Sequence, residues 1–270
     1  MSPNWLTVKR GHAPLLLSIP HAGTVIPQDI AAQLQCSVVQ ALADTDWYIP
    51  ELYAFAAEWD ITIVKTDISR IAIDMNRDPS GQSLYPGQAT TELCPSTSFA
   101  GEALYSAALT AEEIARRKAL YFEPYHQALR DELARLRQLH PQIVIFDAHS
   151  IRSVCPRLFD GELPGLNLGS NDRQSCSAEL AELAEQVLAS SEFGFVHNGR
   201  FKGGWITRHY GQPAAQIHGL QLEIAQRCYM DELECVTPVP FSVVRATALQ
   251  HQLQTLFTQL LAWAKSEEVK

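Results

Sequence analysis

Paired cysteines and long apolar segments are both missing from this 270-residue sequence. No apolar run approaches the length of a transmembrane helix, and the first five residues lack the charged and apolar parts of a secretory signal. No Cys-x-x-Cys pair occurs, so neither a zinc knuckle nor a dense disulfide framework is indicated. We therefore expect reduced thiols in a cytoplasmic protein. The six cysteines are Cys36, Cys94, Cys155, Cys176, Cys228 and Cys235.

Positive charge is also scarce, since 21 lysine and arginine residues stand against 30 aspartate and glutamate residues, for a net charge of −9. Such a chain is poorly suited to bind the phosphate backbone of nucleic acids or an anionic membrane surface. An acidic small-molecule substrate is compatible with this charge, because it needs only a local basic pocket. The sequence shows no internal repeats and no low-complexity linker.

Apolar runs and helical patterns alternate along the chain. Short runs rich in β-branched residues predict buried strands, and longer segments with helical spacing predict helices. Pro124 is expected to kink or divide the helix at 108–140. The alternation favours one three-layer α/β domain over residues 1–270. The predicted strands are residues 14–19, 61–65, 142–146, 194–197 and 217–224, and the predicted helices are 26–41, 48–58, 108–140, 176–190 and 240–265.

Polar residues directly follow the predicted strand 142–146, as Asp147, His149 and Ser150. Buried polar groups are costly unless they are paired or used, and ligands bind at the carboxyl edge of open α/β sheets. His149 could present an imidazole nitrogen to a metal ion while Asp147 orients the ring. The alternative interpretation is a hydrogen-bonded strand end with a satisfied histidine.

His21 and Asp46 also flank predicted strand ends. Together with His149 they would supply two imidazoles and one carboxylate, which is a common catalytic zinc site that leaves a position for water. Cobalt, manganese and iron suit such ligands as well. These ligands would be dispersed in sequence, and no local motif such as His-Glu-x-x-His supports them.

Two irregular stretches, residues 66–95 and 198–212, carry arginines among glycine and polar residues. Arg70, Arg77 and Arg208 could bind carboxylates through their planar guanidinium groups, which indicates a pocket for an anionic small molecule. The alternative for any one of them is a surface ion pair. Apolar residues within the first stretch predict that it is ordered.

Glu223 is an acid within the apolar run 220–224. A buried carboxylate beside a metal-bound water is a natural general base. The alternative is a strand carboxylate that faces solvent.

Seven segments carry a further pattern: SIPHAG at 18–23, DTDW at 44–47, SRIAIDMNRDP at 69–79, FDAHS at 146–150, NLG at 167–169, GWITRHYG at 204–211 and QLE at 221–223. In their order and spacing, over about residues 15–229, they resemble the N-formylglutamate amidohydrolase family. The resemblance implies hydrolysis of N-formyl-L-glutamate to formate and L-glutamate, the last step of one route of histidine degradation. It also implies a mixed central sheet between helices, as in the distantly similar zinc carboxypeptidases and aspartoacylases.

Several residue roles follow from the same resemblance. His21 and His149 match metal ligands, and Glu223 matches the general base. Asn76 and Arg77 match a pair that binds the carboxylate of the substrate.

The sequence departs from the more distant group at one position. Thr24 stands three residues after His21, where a glutamate ligand would be, and threonine cannot replace it. We therefore expect Asp46 to complete the metal site, with Asp44 as the alternative.

The expected reaction is metal-assisted hydrolysis of an amide, with zinc as the expected metal. Arg70 would stabilise the oxyanion, and Arg77 and Arg208 would hold the two carboxylates of a dicarboxylate substrate. His209 is the alternative to Glu223 as general base. Two other functions stay open: hydrolysis of another N-acyl or N-formyl acidic amino acid, and non-catalytic binding of acidic metabolites.

Overall fold

A seven-stranded sheet forms the centre of the protein. The computed structural model describes residues 3–232 and 240–266, so Cys235 lies outside the described residues. The strands are β1 (Leu6–Lys9), β2 (Leu15–Ile19), β3 (Thr62–Thr66), β4 (Ile143–Ile151), β5 (Leu166–Gly169), β6 (Phe195–His197) and β7 (Ile217–Ala225). Their order across the sheet is β1-β3-β2-β4-β7-β5-β6.

The four central strands β3, β2, β4 and β7 run parallel, and the outer strands β1, β5 and β6 run in the opposite direction. The expected mixed sheet is therefore confirmed. The sequence patterns did not predict β1 or β5. Both strands have only four residues, and β5 follows a turn rich in proline and glycine.

Helices cover both faces of the sheet, which confirms the three-layer α/β architecture. They are α1 (Gln28–Ala31), α2 (Val38–Ala41), α3 (Ile49–Leu52), α4 (Ala111–Arg117), α5 (Glu123–Leu139), α6 (Ala178–Ala189), α7 (Trp205–Tyr210) and α8 (Val243–Lys265). Leu15 and Leu17 of β2 belong to a core that includes α6 and α8, and Leu16 belongs to the opposite core, which includes α5. None of the described helices is both long and apolar enough to cross a membrane.

Two segments that were predicted as continuous helices are interrupted. In segment 26–41, Ser37 starts a new helix because its hydroxyl accepts the backbone N–H of Gln40. Segment 48–58 contains α3 and a separate 3-10 turn at Ala54–Ala57. The segment 108–140 divides near Pro124 as expected, with a π-helical turn at Lys118–Phe122 between α4 and α5.

Strand β4 continues past its predicted end and reaches Ile151. It pairs with β7 so that Asp147 lies opposite Gln221 and His149 lies opposite Glu223. Because side chains alternate along a strand, these four polar groups share one face of the sheet. The polar residues that were expected to follow the strand therefore lie within β4, and they form part of a polar patch on one face of the sheet.

The segment between β3 and α4 contains no helix or strand, yet it is packed as the sequence predicted. Ile71, Ile73 and Met75 are each no more than 2% exposed. Tyr105 donates a hydrogen bond from its hydroxyl to the Ile71 carbonyl. The segment thus forms a fixed wall beside the polar face of the sheet.

Candidate active site

His21, Asp46 and His149 converge at the carboxyl edge of the central strands. His21 follows β2, His149 lies on β4, and the Asp46 N–H donates to the His21 carbonyl at 3.1 Å. All three residues are no more than 2% exposed. One ligand atom from each lies within 4.8 Å of the other two. The three metal ligands predicted from the sequence are therefore neighbours in space.

Carboxylates fix the orientation of both imidazoles. Asp74 Oδ1 lies 2.7 Å from His21 Nε2, and Asp147 Oδ2 lies 2.8 Å from His149 Nε2. Both Nδ1 atoms face Asp46 Oδ2, at 3.8 Å for His21 and 3.0 Å for His149. His21 Nδ1 is buried, and no hydrogen-bond partner reaches it from the described residues. Orientation of a ring by a carboxylate is typical of metal-binding histidines.

Asp44, the alternative to Asp46, is held away from this group. Its Oδ2 accepts the backbone N–H of Phe99 at 2.7 Å, and Arg152 Nη2 lies 3.6 Å from its Oδ1. Burial raises the pKa of Asp44, although the Phe99 N–H opposes this shift. Asp44 therefore joins two loops, and the geometry favours Asp46 beside the histidines.

Asp74 is a member of this cluster that the sequence analysis missed. Besides contacting His21, it accepts from Arg70 Nη2 and from the Asn76 N–H, each at 2.8 Å. Burial opposes ionisation, but Arg77, His21 and Arg70 together hold the pKa of Asp74 well below its usual range. The only signal in the sequence was an acid between two apolar residues of the loop.

The surrounding charges shift the two histidines in opposite directions. Burial and Arg70 lower the pKa of His21, although Asp74 opposes them. Burial also opposes protonation of His149, but the carboxylates of Asp147 and Asp46 raise its pKa well above the ordinary value. A neutral His21 that donates from Nε2 to Asp74 keeps an unshared electron pair on Nδ1.

Glu223 lies on the strand next to His149 and is 8% exposed. Burial raises the pKa of Glu223 to about 8, although His149 and Arg70 lower it. Its side chain lines a cavity that His21 and His149 also line. A carboxyl group that exchanges its proton near neutral pH is suited to general acid–base catalysis.

Arg70 and Arg77 line the same cavity. Arg70 lies 3.3 Å from Asp46 and 2.8 Å from Asp74, and its guanidinium packs over the ring of Phe99. Arg77 lies 3.6 Å from Asp74. Two acids of the protein therefore compensate the charge of Arg70, whereas Arg77 has one more distant acid.

Arg200 is a third cation in the cavity wall, and the sequence analysis did not select it. Its Nε donates to the Leu158 carbonyl at 2.7 Å and its Nη2 to the Ala89 carbonyl at 2.8 Å. No carboxylate of the described residues forms an ion pair with it. The sequence signal was its position just after a strand, in a glycine-containing turn. An uncompensated cation in a cavity wall offers a binding position for an anion.

Arg208 and His209 do not line this cavity, so its lining does not support the roles in binding and catalysis that were predicted for them. Residues expected in a loop form α7, and the helical spacing stacks His209 on Trp205 at 4.7 Å on the exposed side. The guanidinium of Arg208 packs 4.9 Å from the ring centre of Tyr85, which does line the cavity. Arg208 therefore packs against a residue of the cavity wall.

Asn76 lines the cavity, but its amide is used inside the protein. Its Nδ2 donates to Asp147 Oδ2 at 2.7 Å, and its Oδ1 accepts the Ile206 N–H at 2.7 Å. These bonds join the long loop, strand β4 and helix α7. They do not support the expected role of Asn76 as a ligand of the substrate carboxylate.

The fold and the site together define a protein of the three-layer α/β class, with a buried His–Asp–His group beside a glutamate at the carboxyl edge of parallel strands. The chain belongs to the N-formylglutamate amidohydrolase family, whose sequence model matches residues 13–230. This match confirms the resemblance seen in the sequence motifs.

Individual relatives agree with the family. The chain is 44% identical to N-formylglutamate deformylase of Pseudomonas aeruginosa, over 96% of this chain and 97% of that protein. It is also 44% identical to N-formylglutamate deformylase of Pseudomonas putida, over 96% of each chain. The crystal structure of N-formylglutamate amidohydrolase from Ralstonia eutropha has the same fold, with a TM-score of 0.81 at 23% identity over 96% of this chain and 98% of that one.

Replacing Asp74 by asparagine should lower the free energy of unfolding by about 3–5 kcal/mol, because Arg70 would lose a buried charged partner. Since folding lowers the pKa of Asp74, the advantage of the wild type is complete near neutral pH. It is lost as the pH falls below the unfolded value of about 3.9 and through the lower folded value. Urea unfolding at several pH values measures the difference.

The matched control is Asp67→Asn, which removes the partly exposed partner of Lys65 and should cost no more than about 1 kcal/mol. Equal losses for the two variants would contradict a special role of the buried carboxylate.

Proposed function

We propose that this protein hydrolyses N-formyl-L-glutamate to formate and L-glutamate. The observation that carries the proposal is one cavity lined by His21, His149 and Glu223 and also by Arg77 and Arg200. The two histidines and Glu223 suit hydrolysis of an amide, and the two arginines match the two carboxylates of the substrate. The names of the two Pseudomonas relatives support the same substrate.

We infer that a divalent cation binds between His21 Nδ1, Asp46 Oδ2 and His149 Nδ1. The buried His21 Nδ1, which has no hydrogen-bond partner among the described residues, and the close spacing of the three ligand atoms support this position. Zinc commonly takes this ligand set in catalytic sites, and cobalt, manganese and iron accept it too. When bound, the cation would supply Lewis-acid chemistry, since it lowers the pKa of water and polarises a carbonyl.

The residues of the chain complete the reaction. Glu223 takes the proton of the attacking water, whose oxygen bonds to the formyl carbon. Arg70, held by its ion pairs with Asp46 and Asp74, donates to the oxyanion that develops on the formyl oxygen. Glu223 then delivers its proton to the departing nitrogen as the carbon–nitrogen bond breaks, which releases formate and glutamate.

Arg77 and Arg200 bind the two carboxylates of the substrate in this proposal. Arg200 replaces Arg208, which the sequence had suggested, because only Arg200 lines the cavity. A planar guanidinium can bind a carboxylate through two parallel hydrogen bonds. Because the formyl group is small, selectivity resides mainly at this dicarboxylate end.

We place the reaction in the cytoplasm, as the last step of a route of histidine degradation. The described cysteines, Cys36, Cys94, Cys155, Cys176 and Cys228, are all free thiols, which supports a reducing compartment. The place in histidine degradation is supported by the resemblance of the sequence motifs.

A formate-release assay should show that N-formylglutamate exceeds N-formylleucine by at least about 30-fold in kcat/KM. Loss of a desolvated charge pair costs about 2–5 kcal/mol, and about 1.4 kcal/mol corresponds to a tenfold change. Arg200→Gln should reduce kcat/KM for the diacid by a similar factor and leave the value for N-formylleucine within about threefold.

Arg173→Gln is the control for lost positive charge, because Arg173 forms surface ion pairs with Glu182 and Glu185 and does not line the cavity. It should keep full selectivity. Equal kcat/KM values for the two substrates in the wild type would refute the anionic pocket.

Asp46→Ala and His149→Ala should lose bound metal together with activity, because each removes one proposed ligand. Asp44→Ala, which removes a neighbouring buried carboxylate, should keep its metal. Elemental analysis of the purified variants measures the metal content. Dialysis of the wild type against a chelator should abolish activity, and a divalent ion should restore it. Full activity in a verified metal-free preparation would exclude the metal site.

Glu223→Gln should reduce kcat by at least about 10², because glutamine keeps the shape but cannot take the proton from water. Metal content should stay near that of the wild type, since Glu223 is not a proposed ligand. Glu182→Gln on the exposed side of α6 is the control and should leave kcat unchanged. Near-normal turnover of Glu223→Gln would show that another group is the base.

A further inference from the structure

Gln221 is a buried polar residue in the cavity to which the proposed chemistry gives no role. It lies on β7 opposite Asp147 and two residues before Glu223, so both side chains point to the same face of the sheet. Gln221 is 3% exposed, and it lines the cavity together with Arg77.

Its amide has a defined orientation. The backbone N–H of Gly204 donates to the side-chain oxygen of Gln221 at 2.7 Å. A backbone N–H can only donate, so the atom it contacts must be Oε1 and the amino group must be Nε2. Within residues 3–232 and 240–266, no acceptor is hydrogen-bonded to Nε2. The protein therefore holds a fixed and unused donor in the cavity.

The neighbouring amide of Asn76 cannot supply this donor. Its Nδ2 contacts Asp147 Oδ2 and His149 Nε2, and its Oδ1 accepts the Ile206 N–H. Gly204 lies directly between the two amides, since a Cβ atom at Gly204 would lie 2.4 Å from Asn76 Nδ2. The amide of Asn76 is therefore used within the protein, and the amide of Gln221 beside it offers the free amino group.

We propose that Gln221 determines specificity by donating a hydrogen bond from Nε2 to one carboxylate of the substrate, next to Arg77. The inference rests on the proposed function, because it concerns the substrate of that cavity. A ligand that covers this donor must offer it an acceptor, because a donor that is buried without an acceptor is costly. A carboxylate only accepts hydrogen bonds, whereas the primary amide of an otherwise identical ligand would turn a donor toward Nε2 or lose the contact.

The test compares N-formylglutamate with its two monoamides, N-formylglutamine and N-formylisoglutamine. Gln221→Glu keeps an acceptor for the Gly204 N–H and removes the amino group, and Gln221→Met removes both. Both variants should raise KM for the diacid by at least about tenfold, with kcat within about threefold of the wild type. In Gln221→Glu, the ratio of kcat/KM for N-formylglutamate to kcat/KM for one of the monoamides should be at least about tenfold lower than in the wild type.

The control for a buried substitution is Gln142→Glu, because Gln142 is also 3% exposed but bonds to the Trp263 carbonyl outside the cavity. Gln142→Glu should leave the preference for the diacid over each of the two monoamides unchanged. Unfolding temperature and metal content identify any variant that is misfolded. A fall in kcat with unchanged KM and unchanged preferences would overturn the proposal, because the donor would then act on the formyl group.

A binding measurement separates this inference from the proposed function. If the wild type releases no formate from any of the three compounds, the proposed reaction is wrong. Calorimetric titration with L-glutamate and glutarate then tests Gln221 alone. Binding weaker by at least about tenfold in Gln221→Met than in the wild type supports a carboxylate contact. Equal binding by Gln221→Met and the wild type, or no binding to the wild type, would overturn the proposed contact between Gln221 and a carboxylate.

Discussion

The hydrogen bonds that the Nε2 atoms of His21 and His149 donate to two buried carboxylates determine the geometry of the site. Asp74 and Asp147 occupy the far nitrogen of each ring, so both Nδ1 atoms must face Asp46. Without these bonds each ring could turn and present either nitrogen. The two acids come from different parts of the chain, one from the long loop and one from β4, so the site depends on the packing of the loop against the sheet.

The dependence of the site on the long loop between β3 and α4 explains why this loop is packed against the sheet. Three buried carboxylates, of Asp46, Asp74 and Asp147, contact the two histidine rings of the site. Burying such charges without partners would cost several kcal/mol for each ion. Arg70 contributes a guanidinium that pairs with Asp46 and Asp74. Asn76 contributes an amide to Asp147. The loop therefore supplies the groups that make the buried acids of the site tolerable, and local disorder would leave those acids unpaired.

The sequence predicted the parts of this arrangement that follow from local periodicity. Short apolar runs located the four central strands, and the rule that ligands bind at the carboxyl ends of parallel strands placed His21, Asp46 and His149 together. Asp74 and Arg200 were missed because their roles depend on contacts between distant segments. Arg208 and His209 were expected in a loop because the glycine-rich stretch contains a helix of only six residues, which the sequence pattern did not reveal. Helical spacing turns His209 outward, and no pattern of single residues revealed this.

The protein holds the cations of the site in two different ways. Glu223, Gln221 and His149 lie on paired strands, whose register fixes their relative positions. Arg77 and Arg200 lie on loops, and Arg200 is held by carbonyl oxygens instead of acids. Carbonyl groups orient a guanidinium without cancelling its charge, so the cation keeps its attraction for an anion. The acids that compensate Arg70 have the opposite effect, which suits Arg70 to a charge that develops during the reaction and Arg200 to a charge that the substrate already carries.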